Sequence, residues 1–287
     1  MMKKVKKLIR TLTLPLPDNF VIYAEYILRH RKLPNLKHPK GFNEKINYIK
    51  QSDWLLTKQM YVDKYKVRPF IEATIGEQYL ATLYGVYKSA DEVNLDELPQ
   101  SFVLKLNNGS GCNLVVKDKD TLNKEEVHAK LERWLTFDFY KTTREKQYKD
   151  VEQFIICEEY LEDSSGELRD YKFFCFNGEM KFVQVDTGRV SGHVQTFYDK
   201  NWVKQDFTYV QDATDVVETR PVKYDEMVNL AEKLAKNFPF VRVDFYDVNG
   251  RIVFGEITFT PNNGMILFKP QSKELELGAL INEKAYD

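Results

Sequence analysis

Along residues 240–264, FVRVDFYDVNGRIVFGEITFTPNNG, apolar and polar side chains alternate in the two-residue period of β structure. Val241, Val243 and Phe245 fall on one face, and Arg242, Asp244 and Tyr246 on the other. Asn249-Gly250 predicts a hairpin turn, because both residues tolerate positive φ. RIVFGEITF returns as the second strand, with Glu256 and Thr258 two residues apart on one face. A strand interior that carries an arginine and two carboxylates is costly unless the charges bind something. Register decides which charges meet. A two-residue loop with regular pairing sets Asp244 opposite Gly255 and puts Asp244 and Glu256 on opposite faces. A three-residue loop, 248–250, or a bulge brings Arg242, Asp244, Glu256 and Thr258 onto one face. Two readings stand at this point. One is a hard-cation site built from paired carboxylates. The other is a cross-strand Arg–Glu ion pair on a solvated face.

The rest of the pattern supplies the frame. Helical spacing covers residues 19–32, 42–52, 121–136 and 223–237, and also 56–75, where Pro69 is expected to interrupt. Between the first two helices, Pro34, Pro39 and Gly41 mark a break. From Tyr79 the period becomes two. LATLYGVYKS reads as a strand, and LPQSFVLKLNNGSGCNLVVKD as strand, loop and strand. Lys105 precedes the loop Asn107-Asn108-Gly109-Ser110-Gly111, whose backbone amides can crowd an anion. This is either a phosphate clamp or an ordinary hairpin turn; neither GxxxxGK[ST] nor GxGxxG is present. The stretch 141–150, KTTREKQYKD, reads as a charged linker. VEQFIICEEYLED is an apolar strand that crosses between subdomains. A second hairpin turns at Asn177-Gly178, and its first strand places Asp170 and Lys172 on one face. Residues 188–198 hold Arg189 and His193 in a glycine-spaced loop.

Composition narrows the class without naming a chemistry. The 287 residues are 43% hydrophobic and 30% charged, enough for a large core in one or two domains. A net charge of −1 gives no global field for nucleic acid. Three cysteines without CxxC spacing argue against a disulfide framework and for a reducing, cytoplasmic setting. Four histidines show no metal-ligand spacing, and no apolar run reaches the length of a membrane span. Lys3, Lys4, Lys6, Lys7 and Arg10, interleaved with Val5, Leu8 and Ile9, read either as a weak anchor at the inner face of an anionic membrane or as a solvated terminus.

Taken in order, these pieces resemble a known family. A strand lysine with a Gly/Ser loop, a strand ending Glu-Glu-Tyr-Leu, an Asp-Tyr-Lys hairpin, and then R-x-D and E-x-T followed by proline are similar to the ATP-grasp superfamily. FNEKI, DKYKVR, FVLKLNNGSG, LRDYKFF and EITFTPNNG resemble its TupA-like branch, found in bacterial cell-surface polysaccharide clusters. The resemblance implies an α+β ATP-grasp fold, with two α+β subdomains sandwiching ATP. On that frame residues 1–55 are an N-terminal helical region and 56–287 the core. Within the core, 79–150 form the phosphate-loop subdomain and 151–287 the metal and catalytic subdomain. Lys105 would contact the phosphates under the Gly109, Ser110 and Gly111 loop. Glu158, Glu159, Tyr160 and Leu161 would read adenine, and Asp170 would lie near the ribose or the second substrate. Asp244 and Glu256 would hold Mg²⁺. Thr258 stands where relatives carry asparagine, with Asn262 or Asn263 as substitutes. Arg242 and Lys172 would serve the transferring phosphoryl group, and Arg189 and His193 the phosphate or acceptor.

The implied activity is an ATP- and Mg²⁺-dependent carboxylate–amine ligase that works through an acylphosphate. Its substrate would be a uronic acid or amino acid for a capsule or surface polysaccharide. The alternatives are a kinase or glycosyltransferase on a polysaccharide precursor, and a non-catalytic ATP-binding protein. The partner in either enzyme reading is a small-molecule or polysaccharide-precursor substrate.

Overall fold

Alternating side chains close two antiparallel sheets, and each buries its apolar face under a helix. The computed structural model describes residues 16–166, 168–188, 192–209 and 214–286; the basic segment before residue 16 and Arg189 lie outside the described residues. The first sheet holds β1 (Leu83–Tyr87), β2 (Phe102–Leu106), β3 (Asn113–Val116) and β4 (Ile155–Glu159), in the order β1-β4-β2-β3. Phe102, Leu104 and Leu106 pack against Val127, Leu131 and Trp134 of the helix Lys124–Leu135. The opposite face of β2 therefore presents Val103 and Lys105. Asn123 caps that helix by accepting from the Glu126 amide at 3.0 Å, so the helix starts at Lys124 and not at residue 121.

The second sheet holds β5 (Asp170–Phe176), β6 (Glu179–Thr187), β7 (Val194–Asp199), β8 (Phe240–Val248) and β9 (Arg251–Thr258), in the order β7-β6-β5-β8-β9. The glycine-spaced loop read over 188–198 thus ends in an edge strand at Val194. The helix Tyr224–Ala235 packs on β5, β6 and β8, over the face that carries Phe173, Val243 and Phe245. The other face is divided. At one end Phe174, Phe176, Phe182 and Phe240 gather around Phe42, whose ring lies 5.3 Å from that of Phe240. At the other end the same face carries Asp170, Lys172, Arg242, Asp244 and Glu256.

Phe42 opens the helix Phe42–Gln51, and this helix does more than fill space. Asn43, Asn47 and Lys50 recur at helical spacing and grip the segment after β9. Asn43 donates to the Ile266 carbonyl and accepts from the Ile266 amide, both at 2.8 Å. Asn47 donates to the Gly264 carbonyl at 2.8 Å, and Lys50 to the Asn263 carbonyl at 3.4 Å. All three side chains are buried, which fixes the turn Pro261–Gly264 where β9 ends.

Two polar stretches depart from their sequence reading. Residues 56–75 form a 3₁₀ turn, the short helix Gln59–Val62, a turn and the helix Arg68–Thr74. The Asp63 carboxylate accepts from the Tyr65 and Lys66 amides at 2.9 Å and ends the first helix, and Pro69 sits in the opening turn of the second. The 141–150 stretch is not a linker. Arg144, Glu145 and Gln147 are buried, because their polar groups find protein partners rather than water.

Replacing Asn43 by alanine leaves the buried Ile266 amide and carbonyl unpaired and is expected to cost about 2–4 kcal/mol. Urea denaturation checks this, and a midpoint unchanged from wild type contradicts it.

Candidate active site

The charged end of the second sheet is assembled by a bulge. Asn249 and Gly250 take φ values of 54° and 85°, and Val248 pairs with Arg251, so the hairpin loop has two residues. The three-residue loop is therefore not what forms. Register shifts at Gly255, beyond which Asp244 stands opposite Glu256 and Arg242 opposite Thr258. A side chain at Gly255 would have its Cβ 3.2 Å from the Asp244 carbonyl oxygen and 3.2 Å from the Tyr246 ring, so the bulge suits a glycine.

On this face Arg242 donates from Nε and Nη2 to the two Asp244 oxygens, each at 2.7 Å. Its Nη2 also reaches Glu256 Oε1 at 2.6 Å and Thr258 Oγ1 at 3.1 Å. Lys172 pairs with Asp170 and lies 3.4 Å from Asp244 Oδ2 and 3.5 Å from Asp186 Oδ2. Gln184 and Gln195 both donate to Asp186 Oδ1, at 2.6 and 3.0 Å. His193 Nε2 is 3.5 Å from the same oxygen, at the outer end of the cluster. Burial pushes the Asp244 carboxyl up to about 7, with Arg242 and Lys172 pulling it down and Asp170 and Glu256 adding to the rise. For Glu256 the neighbouring Arg242, Lys64 and Lys172 outweigh the cost of burial and hold the carboxyl down to about 2.

The first sheet closes over this face. Lys105 pairs with Glu158 at 2.8 Å, and Arg68 reaches the same carboxylate at 3.2 Å. Between the sheets lies a slot of about 410 Å³ walled by Val103, Lys105, Val115, Tyr160, Leu161 and Tyr246. Glu159, Tyr160 and Leu161 border it, whereas the Glu158 side chain is occupied with Lys105 and Arg68. Glu159 instead ties the two sheets together, accepting from Arg251 Nη2 at 2.6 Å and from the Thr82 amide at 2.8 Å. Over the loop, Lys64 Nζ donates to the Gly109 carbonyl at 2.7 Å. Gly109 has φ 69°, and a Cβ there would fall 2.4 Å from the Phe139 ring, so only glycine fits. Burial pushes the Lys64 ammonium down, against the pull of Glu256 and Glu158.

A second cavity, of about 630 Å³, is lined in part by Arg242 and Glu256. Gly109, Ser110 and Gly111 form one wall, and Trp134, Phe137, Phe139 and Tyr148 another. Thr258, Thr260, Asn262 and Asn263 come from the turn held by the helix Phe42–Gln51. Glu145 also lines it, accepting from Thr260 Oγ1, and Gln147 donates to Thr260 Oγ1 at 2.7 Å. Burial raises the Glu145 carboxyl, while Lys50 pulls it down. Lys64 and Arg68 belong to the motif DKYKVR, and in the sequence they are polar positions open to either solvent or a ligand. Sequence reasoning missed Glu145, Gln147 and Thr260 altogether, because a run such as KTTREKQYKD looks the same whether water or protein satisfies it.

A family model described as TupA-like ATPgrasp matches residues 44–282. The chain belongs to the TupA-like ATP-grasp family. The resemblance carried by the ordered motifs is thus borne out, and with it the α+β ATP-grasp fold. Among solved structures, the D-alanine–D-alanine ligase from Bacillus anthracis complexed with ATP is 18% identical, with 80% of this chain and 64% of that chain covered and a TM-score of 0.44. The L-amino acid ligase from Bacillus licheniformis is 13% identical, with 72% and 43% covered and a TM-score of 0.43. An N5-carboxyaminoimidazole ribonucleotide synthetase, solved as its ADP complex, is 12% identical, with 71% and 46% covered and a TM-score of 0.40. The chain thus spans less than two thirds of the length of each of these three proteins. No curated protein sequence matches it.

For a TupA-like ATP-grasp chain, the residues present fit a nucleotide and a hard cation. The slot between the sheets offers Val103, Val115, Leu161 and the Tyr160 and Tyr246 rings for a base to stack on, and Lys105 lines it as well. Asp244 and Glu256 lie directly opposite each other in register, and Thr258 supplies a neutral oxygen beside them. Among the described residues no three His, Cys, Asp or Glu side chains form a cage of their own. Two carboxylates with the remaining positions left to phosphate oxygens and water suit Mg²⁺ rather than a structural metal.

Cation binding at this site requires the Asp244 carboxylate to be ionised. Its raised value means that the free protein carries a proton there below about pH 7. Lowering the pH through that value should therefore weaken Mn²⁺ binding in the presence of ADP, by about tenfold per pH unit at the limit of one displaced proton. Above it the affinity should level off. Calorimetric titration from pH 5.5 to 8.5 reads this, and a flat profile contradicts it.

Proposed function

We propose that this chain is an ATP- and Mg²⁺-dependent carboxylate–amine ligase that joins a uronic acid or amino acid to an amine in the assembly of a bacterial surface polysaccharide. One observation carries the reading: a single face of β8 runs from Tyr246, which lines the nucleotide slot, through Asp244 to Arg242, which lines the second cavity, so the paired carboxylates lie between the two chambers. A ligase of this type needs that geometry, whereas a protein that only stores a nucleotide does not.

The side chains take the following parts. Tyr160 and Leu161 hold the base by apolar contact and backbone groups. Lys105 neutralises the phosphates in the slot, and Lys64, which braces the Gly109 carbonyl, keeps the loop closed over them. Bound Mg²⁺ supplies charge neutralisation at the phosphates, held by Asp244 and Glu256. Arg242 and Lys172 face the same place and stabilise charge as it spreads over the transferring group. Positioning and charge do most of the work in such a transfer, so no activated serine or cysteine is needed. The acceptor carboxylate binds in the 630 Å³ cavity with Arg242 at its head. Closure of the Gly109–Gly111 wall keeps water from the acylphosphate. The cavity's aromatic wall, with threonine, asparagine and glutamine nearby, suits a ring that carries many hydroxyls. Asn263 Oδ1, on the cavity wall, is buried without a hydrogen-bond partner among the described residues, which leaves it for such a ligand. The chemistry depends on a supply of ATP, and we place the chain in the cytoplasm on that ground.

The test is incubation with ATP, Mg²⁺ and panels of uronic and amino acids, with ADP and free phosphate both measured. Phosphate release that needs a carboxylate and an amine together supports the ligase. ADP without phosphate assigns a kinase, and turnover of nucleotide sugars alone refutes the proposal. Glu256→Gln removes a metal ligand without disturbing the core and is expected to lower turnover by about 10²-fold or more, several kcal/mol of transition-state charge stabilisation. Wild-type turnover in that variant would overturn the metal assignment.

A further inference from the structure

We propose that the helix Asp18–His30 is a docking face for an anionic lipid surface. The helix is held firmly from behind. Val21, Ile22 and Tyr26 are buried, and the Tyr26 hydroxyl donates to Glu274 at 3.4 Å. Its outward side is apolar. Phe20, Ala24 and Ile27 recur at four- and three-residue steps, which places them in one stripe. Phe20 is 58% exposed, Ile27 41%, and the neighbouring Leu28 and Leu33 57% and 70%. Single exposed apolar residues are ordinary, but three on one helix and a fourth just past its end, all within fourteen positions, form a patch.

The charge of this part of the sequence names the partner. Residues 1–40 contain ten of the 42 Lys and Arg side chains but only two of the 43 Asp and Glu. The remaining 247 residues therefore carry an acidic excess, 32 against 41, on a chain that is nearly neutral as a whole. Arg31, Lys32 and Lys37 are exposed beside the apolar stripe. A rigid helix with an apolar face, rimmed by cations and set on an acidic body, matches an anionic bilayer rather than another acidic protein surface. The apolar side chains enter the headgroup boundary and the cations meet the phosphates. The acidic body also turns the molecule so that only this end approaches the membrane.

The face adjoins the second cavity. Asp18 accepts from the Tyr140 hydroxyl at 2.5 Å and pairs with Arg144 at 3.1 Å, and Arg29 Nε donates to the Met265 carbonyl at 3.2 Å. The helix thus braces the segment 139–145 that lines the cavity, and Met265 just beyond the turn that also lines it. Docking would set the cavity beside the bilayer; this last point alone rests on the ligase reading.

The test needs no substrate. The full chain is sedimented with vesicles of phosphatidylcholine containing about 30 mol% phosphatidylglycerol, and with vesicles of phosphatidylcholine alone. Binding is expected to the first and not the second, and to weaken as salt is raised. The double variant Phe20→Ser, Ile27→Ser should lose roughly tenfold in vesicle partition while its melting temperature and its Mg²⁺–ADP binding stay at wild-type values. Arg31→Glu with Lys37→Glu should have the same effect by reversing surface charge alone, whereas Lys32 is left in place because it pairs with the buried Glu274 at 3.8 Å. Absent binding to the anionic vesicles, or binding unchanged in both variants, overturns the proposal. A concentration-dependent dimer that the serine variant abolishes without vesicles would assign the stripe to a second copy of the chain and also overturn it. Loss of ligase activity with vesicle binding intact would count against the catalytic reading and leave this one standing.

Discussion

Arg242 and Asp244 share a strand interior, and their two-pronged pairing is the constraint that the rest of the site obeys. Arg242 is 7% exposed and Asp244 2%. Buried charges persist only with partners, because desolvation alone costs more than any single contact returns. Lys172, Asp170, Glu256 and Asp186 extend the pair into a network across β5, β6, β8 and β9. That network keeps the face from being packed as a core. The sheet must bury its other side under the helix Tyr224–Ala235 and leave the charged end to a cleft. The first sheet supplies the opposite wall of that cleft, with Lys105 and Glu158 repeating the same solution on a smaller scale.

Segments far from this network in sequence exist to hold it in place. The helix Phe42–Gln51 has no polar atom in the cleft, yet Asn43, Asn47 and Lys50 fix the turn that carries Asn262 and Asn263. Glu145 and Gln147 reach Thr260 from the opposite direction. The 630 Å³ cavity is therefore bounded by three stretches widely separated in sequence, each pinned by buried hydrogen bonds. A chamber of that kind keeps its shape while the glycine loop moves, as positioning in phosphoryl transfer requires.

How much of this was legible depended on whether a signal was local. Period-two alternation and the Asn-Gly turns placed both hairpins of the second sheet, and the anomaly of charges on a strand interior marked the site. Whether Asp244 and Glu256 meet was not decided by the turn. The Gly255 bulge sets it, and a glycine in a strand is only a weak sign of a bulge before the pairing is known. For Lys64 and Arg68 the sequence left solvent and ligand equally open, because their partners, Gly109 and Glu158, lie far along the chain. Glu145 had no signal at all, since a polar run is read as surface unless its partners are visible. The ordered motifs carried the family, because each is weak alone and their sequence along the chain is not.

The account stands or falls on what the paired carboxylates hold. The most direct measurement is a crystal structure of the chain grown with Mn²⁺ and a non-hydrolysable ATP analogue, with the metal located by its anomalous signal. The account predicts a peak between Asp244 and Glu256, bridged to the terminal phosphates, with Lys105 on the phosphates and the base between Val103 and Tyr246. A nucleotide in that slot with the metal bound elsewhere, or Arg242 still closed on both carboxylates, would contradict it.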